Sequence, residues 1–240
     1  MIAVLFASLA PAVALLTYFY LNDRYKQEPL RLVFRLFLFG VIICFPVMII
    51  QHGLRTEISA QPLFMSYITA GLLEEFFKWF ILYFFAYHLT EFDEPYDGIV
   101  YAVSVSLGFA ALENFLYLFT EGLSIAFIRA LIPVSGHALF GVIMGYYMGT
   151  AKFLATKKNM RTYLLYSLMV PVLLHGTYDY IIYRSHMYWF WTIVPFMIWL
   201  WWFALKHVKR ANQNSKILLS RQKYKHTLEK EQIFVQIESD

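Results

Sequence analysis

The chain has 240 residues, of which 60% are hydrophobic, 20% aromatic and only 15% charged, with a formal net charge of +4. A soluble domain carries roughly 25% charged residues, so this composition excludes a large soluble domain and describes an integral membrane protein with short loops. The one cysteine, Cys44, rules out an internal disulfide and reads as apolar filling.

Residues 1–21 are apolar and long enough to span a bilayer. They lack the basic region of a signal peptide, so they read as a retained first helix containing Pro11. A polar link with Arg24, Lys26 and Arg31 leads to a second span, 32–50, with Pro46 near its end. Residues 51–62 read as a short polar loop. The third span, 63–87, carries Glu74, Glu75 and Lys78 in its middle. An acidic loop, 88–97, holds Glu91, Asp93, Glu94 and Asp97. The fourth span is 98–119, with Glu113 and Asn114 near its far end. After a turn at 120–126 comes the fifth, 129–151, with His137. A basic loop, 152–161, precedes the sixth, 162–183, which carries His175 and Asp179. The seventh, 188–205, is rich in tryptophan. From Lys206 to Asp240 the chain is polar and basic.

The expected fold is an all-α, polytopic membrane helix bundle of seven transmembrane spans, or eight. Of the 20 lysines and arginines, 16 lie in the link after span one (with Arg35 just inside span two), the loop after span five and the tail. The other side holds Arg55, Arg129 and Arg184. The positive-inside rule then places the N-terminus outside and the tail in the cytoplasm. Residues 1–207 form the membrane-embedded domain and 208–240 a cytoplasmic basic tail. The tail reads as a solvated, partly disordered extension. Alternatives are a segment lying on anionic lipid, or a short amphipathic piece built on Ile217, Leu218, Leu219, Phe234 and Val235.

Buried charge is where function is expected, because an ionisable residue at the centre of a membrane helix costs about 2.5–3.5 kcal/mol on insertion scales. At 1.5 Å per residue, Glu75, His137, His175 and Glu113 each lie about 12–13 Å below the outer ends of their spans. Four polar residues on four helices at one depth are what a shared buried site requires. Lys78 is i+4 from Glu74 and i+3 from Glu75, within reach of both. The favoured i, i+4 direction assigns it to Glu74 and leaves Glu75 facing the site. His175 and Asp179 share one face of their helix, so Asp179 is suited to fix the histidine's tautomer. His137 follows Ser135 and Gly136, small residues that permit close helix approach. Glu113 adds a carboxylate that is a ligand, a relay, or simply snorkels to the surface. His52, His88, His186 and His207 lie at span ends and His226 in the tail, where a histidine needs no special role.

Such a set activates water. In one mechanism Glu75 is the general base and the histidines stabilise the oxyanion. In the other, His137, His175 and a glutamate hold Zn²⁺ and the second glutamate is the base. A proton-coupled transporter is the rival reading, although no internal repeat supports it. A third is a non-catalytic scaffold that merely retains the fold.

Several blocks together resemble the PrsW-type bacterial intramembrane proteases. They are Glu74-Glu75-x-x-Lys78-Trp79, residues 96–101, residues 108–114 ending in Glu113-Asn114, Ser135-Gly136-His137-Ala138, and His175-Gly176-Thr177-Tyr178-Asp179. The likeness covers nearly all of residues 1–210. It implies a multi-pass protease of the bacterial cell membrane that makes the first, site-one cut in a membrane-anchored anti-sigma factor. That cut leads to release of an extracytoplasmic-function sigma factor under envelope stress. The partners implied are that substrate and the lipid bilayer, with no nucleic acid; the cofactor is none or Zn²⁺. Glu74, Glu75, His137 and His175 are then the catalytic set, supported by Lys78, Glu113, Asn114 and Asp179. The group is distantly similar to the CAAX prenyl endopeptidases, whose pattern is Glu-Glu-x-x-x-Arg, Phe-x-x-x-His and His-x-x-x-Asn/Asp. Here a lysine stands one residue closer than the arginine, and Pro133 replaces the phenylalanine before His137.

Overall fold

Residues 1–57, 61–184 and 188–239 are described in the computed structural model, and all regular structure among them is helical. A helix satisfies every backbone polar group within its own segment, which an apolar stretch in lipid requires. Helix α1 is Ile2–Leu21 and α2 is Leu30–Glu57. One continuous rod follows, made of α3 (Pro62–Phe64), a π-helical stretch (Met65–Leu72) and α4 (Leu73–Phe85). Helix α5 (Asp97–Glu121) ends at Gly122, whose φ of +86° is a conformation glycine adopts without steric penalty. A 3₁₀ turn (Leu123–Ile125), α6 (Ala126–Arg129) and a second π-helical stretch (Ala130–Val134) lead into α7 (Ser135–Phe153). Helices α8 (Met160–Arg184) and α9 (Trp189–Ser239) complete the chain.

Among the described residues, five stretches are long and apolar enough to cross a membrane: α1, α2, α5, residues 123–153 and the first part of α9. The rods expected as the third and sixth spans are both present and are more polar. The first carries Glu74, Glu75 and Lys78, the other His175 and Asp179. Outward-facing aromatic and aliphatic side chains, among them Phe6, Phe34, Phe45, Phe84, Ile198 and Trp202, are exposed. An apolar exterior of this extent marks a membrane-facing surface.

Helix α5 is the axis of the bundle. Every residue from Asp97 to Ala111 is buried, and α1, α2 and α7 pack around it. A helix apolar on all sides belongs in such a centre. Close approach depends on glycine: a Cβ on Gly108 would collide with the Phe37 carbonyl of α2, and one on Gly98 with the Gly145 carbonyl of α7. Small residues at crossings are how membrane helices gain contact area, since lipid supplies no hydrophobic drive between them.

Two expectations are corrected. The segment from Gln51 is not a loop, because α2 continues to Glu57 and carries Gln51 and His52 on its last turns. The tail is helical, with α9 running through the 207/208 boundary to Ser239. Val208, Ala211 and Ser215 are buried. The Tyr96 N–H donates to Ser215 Oγ and Asn212 Nδ2 donates to the Asn22 carbonyl, each at 3.1 Å. The composition turns polar there, but lysine, glutamine and leucine are good helix formers, and this part of the rod has interhelical links to pack against. His207 is likewise a packing residue, buried and engaged with the Phe203 carbonyl through Nδ1. His186 lies outside the described residues, as do the side chains of His226, Phe234 and Val235.

Candidate active site

The π-helical stretch Met65–Leu72 delivers the chain directly into Glu74 and Glu75. π-Helical turns carry an extra residue per turn and recur at functional sites. Its Thr69 carbonyl accepts a hydrogen bond from Gln51 Nε2 at 2.8 Å, and the same Gln51 nitrogen donates to Glu74 Oε1 at 2.9 Å. Lys78, with no exposed surface, donates to Glu75 Oε1 at 2.7 Å, to His137 Nδ1 at 3.0 Å and to Glu74 Oε2 at 3.3 Å. Its ammonium also stands 4.3 Å from the centre of the Phe109 ring. The pairing differs from the sequence expectation. Glu75, not Glu74, is the tighter partner, and Glu74 is the carboxylate that lines the cavity. The i, i+4 preference is a property of solvated helices. A fully buried ammonium instead collects every acceptor within reach, because an unmet donor there is costly.

The second π-helical stretch, Ala130–Val134, precedes His137 in the same way. Because Lys78 donates to Nδ1 of His137, the ring proton sits on Nε2, which donates to Glu113 Oε2 at 2.8 Å. Glu113 therefore does not snorkel. It is held on its other oxygen by Arg129 Nη2 at 3.4 Å, while Arg129 Nε donates to Asn114 Oδ1 at 2.8 Å. His175 donates through Nδ1 to Glu75 Oε1 at 2.8 Å. Its Nε2 lies 3.4 Å from Asp179 Oδ2 and 3.9 Å from Glu74 Oε2. Orientation of His175 thus comes chiefly from Glu75 on another helix, not from Asp179 on its own. The two imidazoles meet edge to face at 5.1 Å, and His175 stacks on Phe140 at 4.9 Å.

All eight sequence-derived residues converge, six of them in direct contact around Lys78, His137 and His175, with Asn114 and Asp179 at the edge. The cluster floors a cavity of about 710 Å³ whose lining includes Glu74, Glu113, His137, His175 and Asp179, with His52, Arg55 and Arg129 among its other walls. Three contributors were not anticipated from sequence: Gln51, Phe109 and Arg129. Gln51 lies in a stretch whose polar composition suggests a loop. Phe109 looks like any core aromatic. Arg129, a basic residue at a span end, sits 15 and 16 residues from its two partners.

Residues 28–204 match the family model of the PrsW family intramembrane metalloproteases. The chain belongs to the PrsW family. It is 55% identical over 212 residues to "Protease PrsW" of Geobacillus kaustophilus, covering 88% of this chain and 93% of that one. It is 51% identical to "Protease PrsW" of Bacillus subtilis over 88% of this chain and 96% of the relative. It is 32% identical to the Clostridioides difficile protein of the same name, over 81% and 85%. No solved structure gives a significant match. As a PrsW family member the chain is a peptide-bond hydrolase of the membrane.

The family description implies a metal, and the donor set fits one. Glu74, Glu75, His137 and His175 are all buried and offer ligand atoms within 4.8 Å of one another. Mixed imidazole and carboxylate donors suit a first-row divalent ion. Glu75 Oε2 is buried with no hydrogen-bond partner among the described residues, a lone pair without another use. Lys78 shares three of the four ligands, so the protein already holds one positive charge at this point.

Proposed function

We propose that this chain is an intramembrane endopeptidase that makes the first cut in a membrane-anchored anti-sigma factor. The observation that carries the reading is the buried convergence of two glutamates and two histidines beside one cavity, which Glu74, His137 and His175 line. The substrate class rests on the blocks around Glu74-Glu75, Glu113-Asn114, His137 and His175 that resemble the PrsW-type proteases. In this reading the bundle crosses the membrane seven times with the N-terminus outside. The asymmetry of lysine and arginine supports that orientation, and it puts the cavity in the outer half, where a site-one cut belongs.

Glu74 faces the cavity and takes the proton from the attacking water, with its Oε1 fixed by Gln51. Glu75 holds His175 in one tautomer and Glu113 does the same for His137, so both rings are preset. Asp179 faces Nε2 of His175 and supports positive charge there as the tetrahedral oxyanion forms. Lys78 gives the two carboxylates a shared countercharge, donating to Glu75 Oε1 at 2.7 Å and to Glu74 Oε2 at 3.3 Å. His137, His175 and one of the glutamates are the residues that would hold Zn²⁺, which supplies Lewis-acid polarisation of the scissile carbonyl and a more acidic bound water.

The test is cleavage of a single-span anti-sigma substrate by the full chain in proteoliposomes. Wild type should cut, lose activity in chelator and regain it with Zn²⁺. Glu74→Gln should insert normally and leave the substrate intact. Cleavage by that variant at the wild-type rate would overturn the role given to Glu74.

A further inference from the structure

At the opposite end of α5 from Glu113 lies a second polar cluster that the protease chemistry does not use. Asp23 comes from the α1–α2 link, Glu94 from the link before α5, and Asp97 from the first turn of α5. All three are buried, with exposures of 3%, 0% and 0%, and offer carboxylate oxygens within 4.8 Å of one another. Asp97 Oδ2 is committed to the backbone N–H groups of Asp93 and Glu94, at 2.8 and 2.7 Å. Its Oδ1, both oxygens of Asp23 and both oxygens of Glu94 have no hydrogen-bond partner among the described residues. Glu94 is thus a wholly buried side chain whose carboxylate faces those of Asp23 and Asp97 and has no hydrogen-bond partner outside them among the described residues. The nearby lysines are engaged elsewhere: Lys26 pairs with Asp93, and the Lys152 ammonium donates to the Tyr87 and Leu89 carbonyls at 2.7 and 3.2 Å. Glu28, also buried, has one oxygen occupied by the Tyr101 hydroxyl.

Three carboxylates removed from water without a countercharge cost several kcal/mol per ion, so something positive belongs between them. We propose that Asp23, Glu94 and Asp97 form a binding site for a hard divalent cation, Mg²⁺ or Ca²⁺, separate from the histidine-bearing site. An all-oxygen donor set selects these ions over zinc. Bonds of 2.0–2.6 Å to such an ion bring ligand oxygens within about 5 Å of one another, which matches the spacing here. The five free oxygens leave the remaining positions to water. Burial, and then the facing Asp23, push the Glu94 carboxyl up to about 8, in keeping with a missing countercharge. The ion ties the α1–α2 link to the start of the central helix, beside the contacts that Ser215 and Asn212 of α9 make with Tyr96 and Asn22.

The experiment uses the purified full-length chain in detergent, stripped with chelator, at neutral pH. Added MgCl₂ or CaCl₂ should raise the unfolding temperature saturably, and the lower half-saturation of the two identifies the ion. The shift should vanish in Glu94→Gln and persist in His175→Ala, which alters the other site. As a second measure on wild type, Tb³⁺ luminescence sensitised by the adjacent Tyr96 and Tyr101 should appear and be displaced by the preferred ion. Absence of a shift with either ion, a shift that survives in Glu94→Gln, or Tb³⁺ luminescence that neither ion displaces would overturn the proposal. The first of these would mean that the carboxyl groups are held as a proton-sharing trio.

Discussion

Lys78 and His137 are joined by a 3.0 Å hydrogen bond from the ammonium to Nδ1, and this one contact fixes the tautomer of His137. It forces the His137 proton toward Glu113, and it places a fixed positive charge among the groups that would otherwise ligate a metal.

Removing that charge should therefore change metal binding. In Lys78→Met the two glutamates lose their resident counterion, a change that leaves buried charge unpaired and costs about 3–5 kcal/mol in the metal-free protein. Zn²⁺ should restore the stability, binding about tenfold or more tightly than to wild type. Competition with a fluorescent chelator measures the affinity, and unfolding temperature with and without Zn²⁺ measures the rescue. Unchanged affinity would mean that lysine and metal do not share ligands.

The two glutamates should separate by phenotype. Glu74→Gln keeps the shape of the cavity and its contact with Gln51, so activity should fall about 10²–10⁴-fold, the usual worth of a general base, with little change in stability. Glu75→Gln removes a charge from Lys78 and the acceptor from His175, so both activity and stability should fall. Cleavage assays paired with thermal melts distinguish the two.

Arg129 holds both Glu113 and Asn114. Arg129→Gln should loosen Glu113 and with it His137, lowering kcat about tenfold, equivalent to about 1.4 kcal/mol, while KM changes little. A rise in KM alone would instead make Arg129 a substrate contact on the cavity wall.

Packing at the bundle axis should be intolerant of bulk. Gly108→Val would drive a side chain into the α2 backbone at Phe37, and overpacking of this kind costs about 1–3 kcal/mol or more. A lowered unfolding temperature without loss of metal content is expected.

The length of α9 that the fold needs can also be measured. A stop after Lys216 keeps Asn212 and Ser215 in place and should melt like wild type. A stop after His207 removes both contacts and the buried Val208 and Ala211, and should unfold several degrees lower. Equal melting would mean that the tail contributes nothing to the embedded domain.

The helices and the central acids were readable from the sequence because each signal is local. A run of apolar residues long enough to cross lipid declares itself, and Glu74, Glu75 and Lys78 stand out within one. The histidines were readable only through their shared depth. Other features depend on neighbours that no local pattern reveals. Which glutamate faces the cavity follows from how α4 sits after the π-helical stretch. Gln51 belongs to a helix whose end looked like a loop, because polar residues close to a span end are ambiguous between the two. The tail's structure comes from contacts with Asn22 and Tyr96, far away in the chain.

Both π-helical stretches, Met65–Leu72 and Ala130–Val134, sit immediately upstream of the side chains that meet in the cavity. Each residue of a helix advances its successor by about 100° around the axis. Deleting one residue from either stretch would let the coil wind regularly and swing the downstream glutamates, or His137, toward a different neighbour. These two segments can exchange side chains more freely than they can change their residue count.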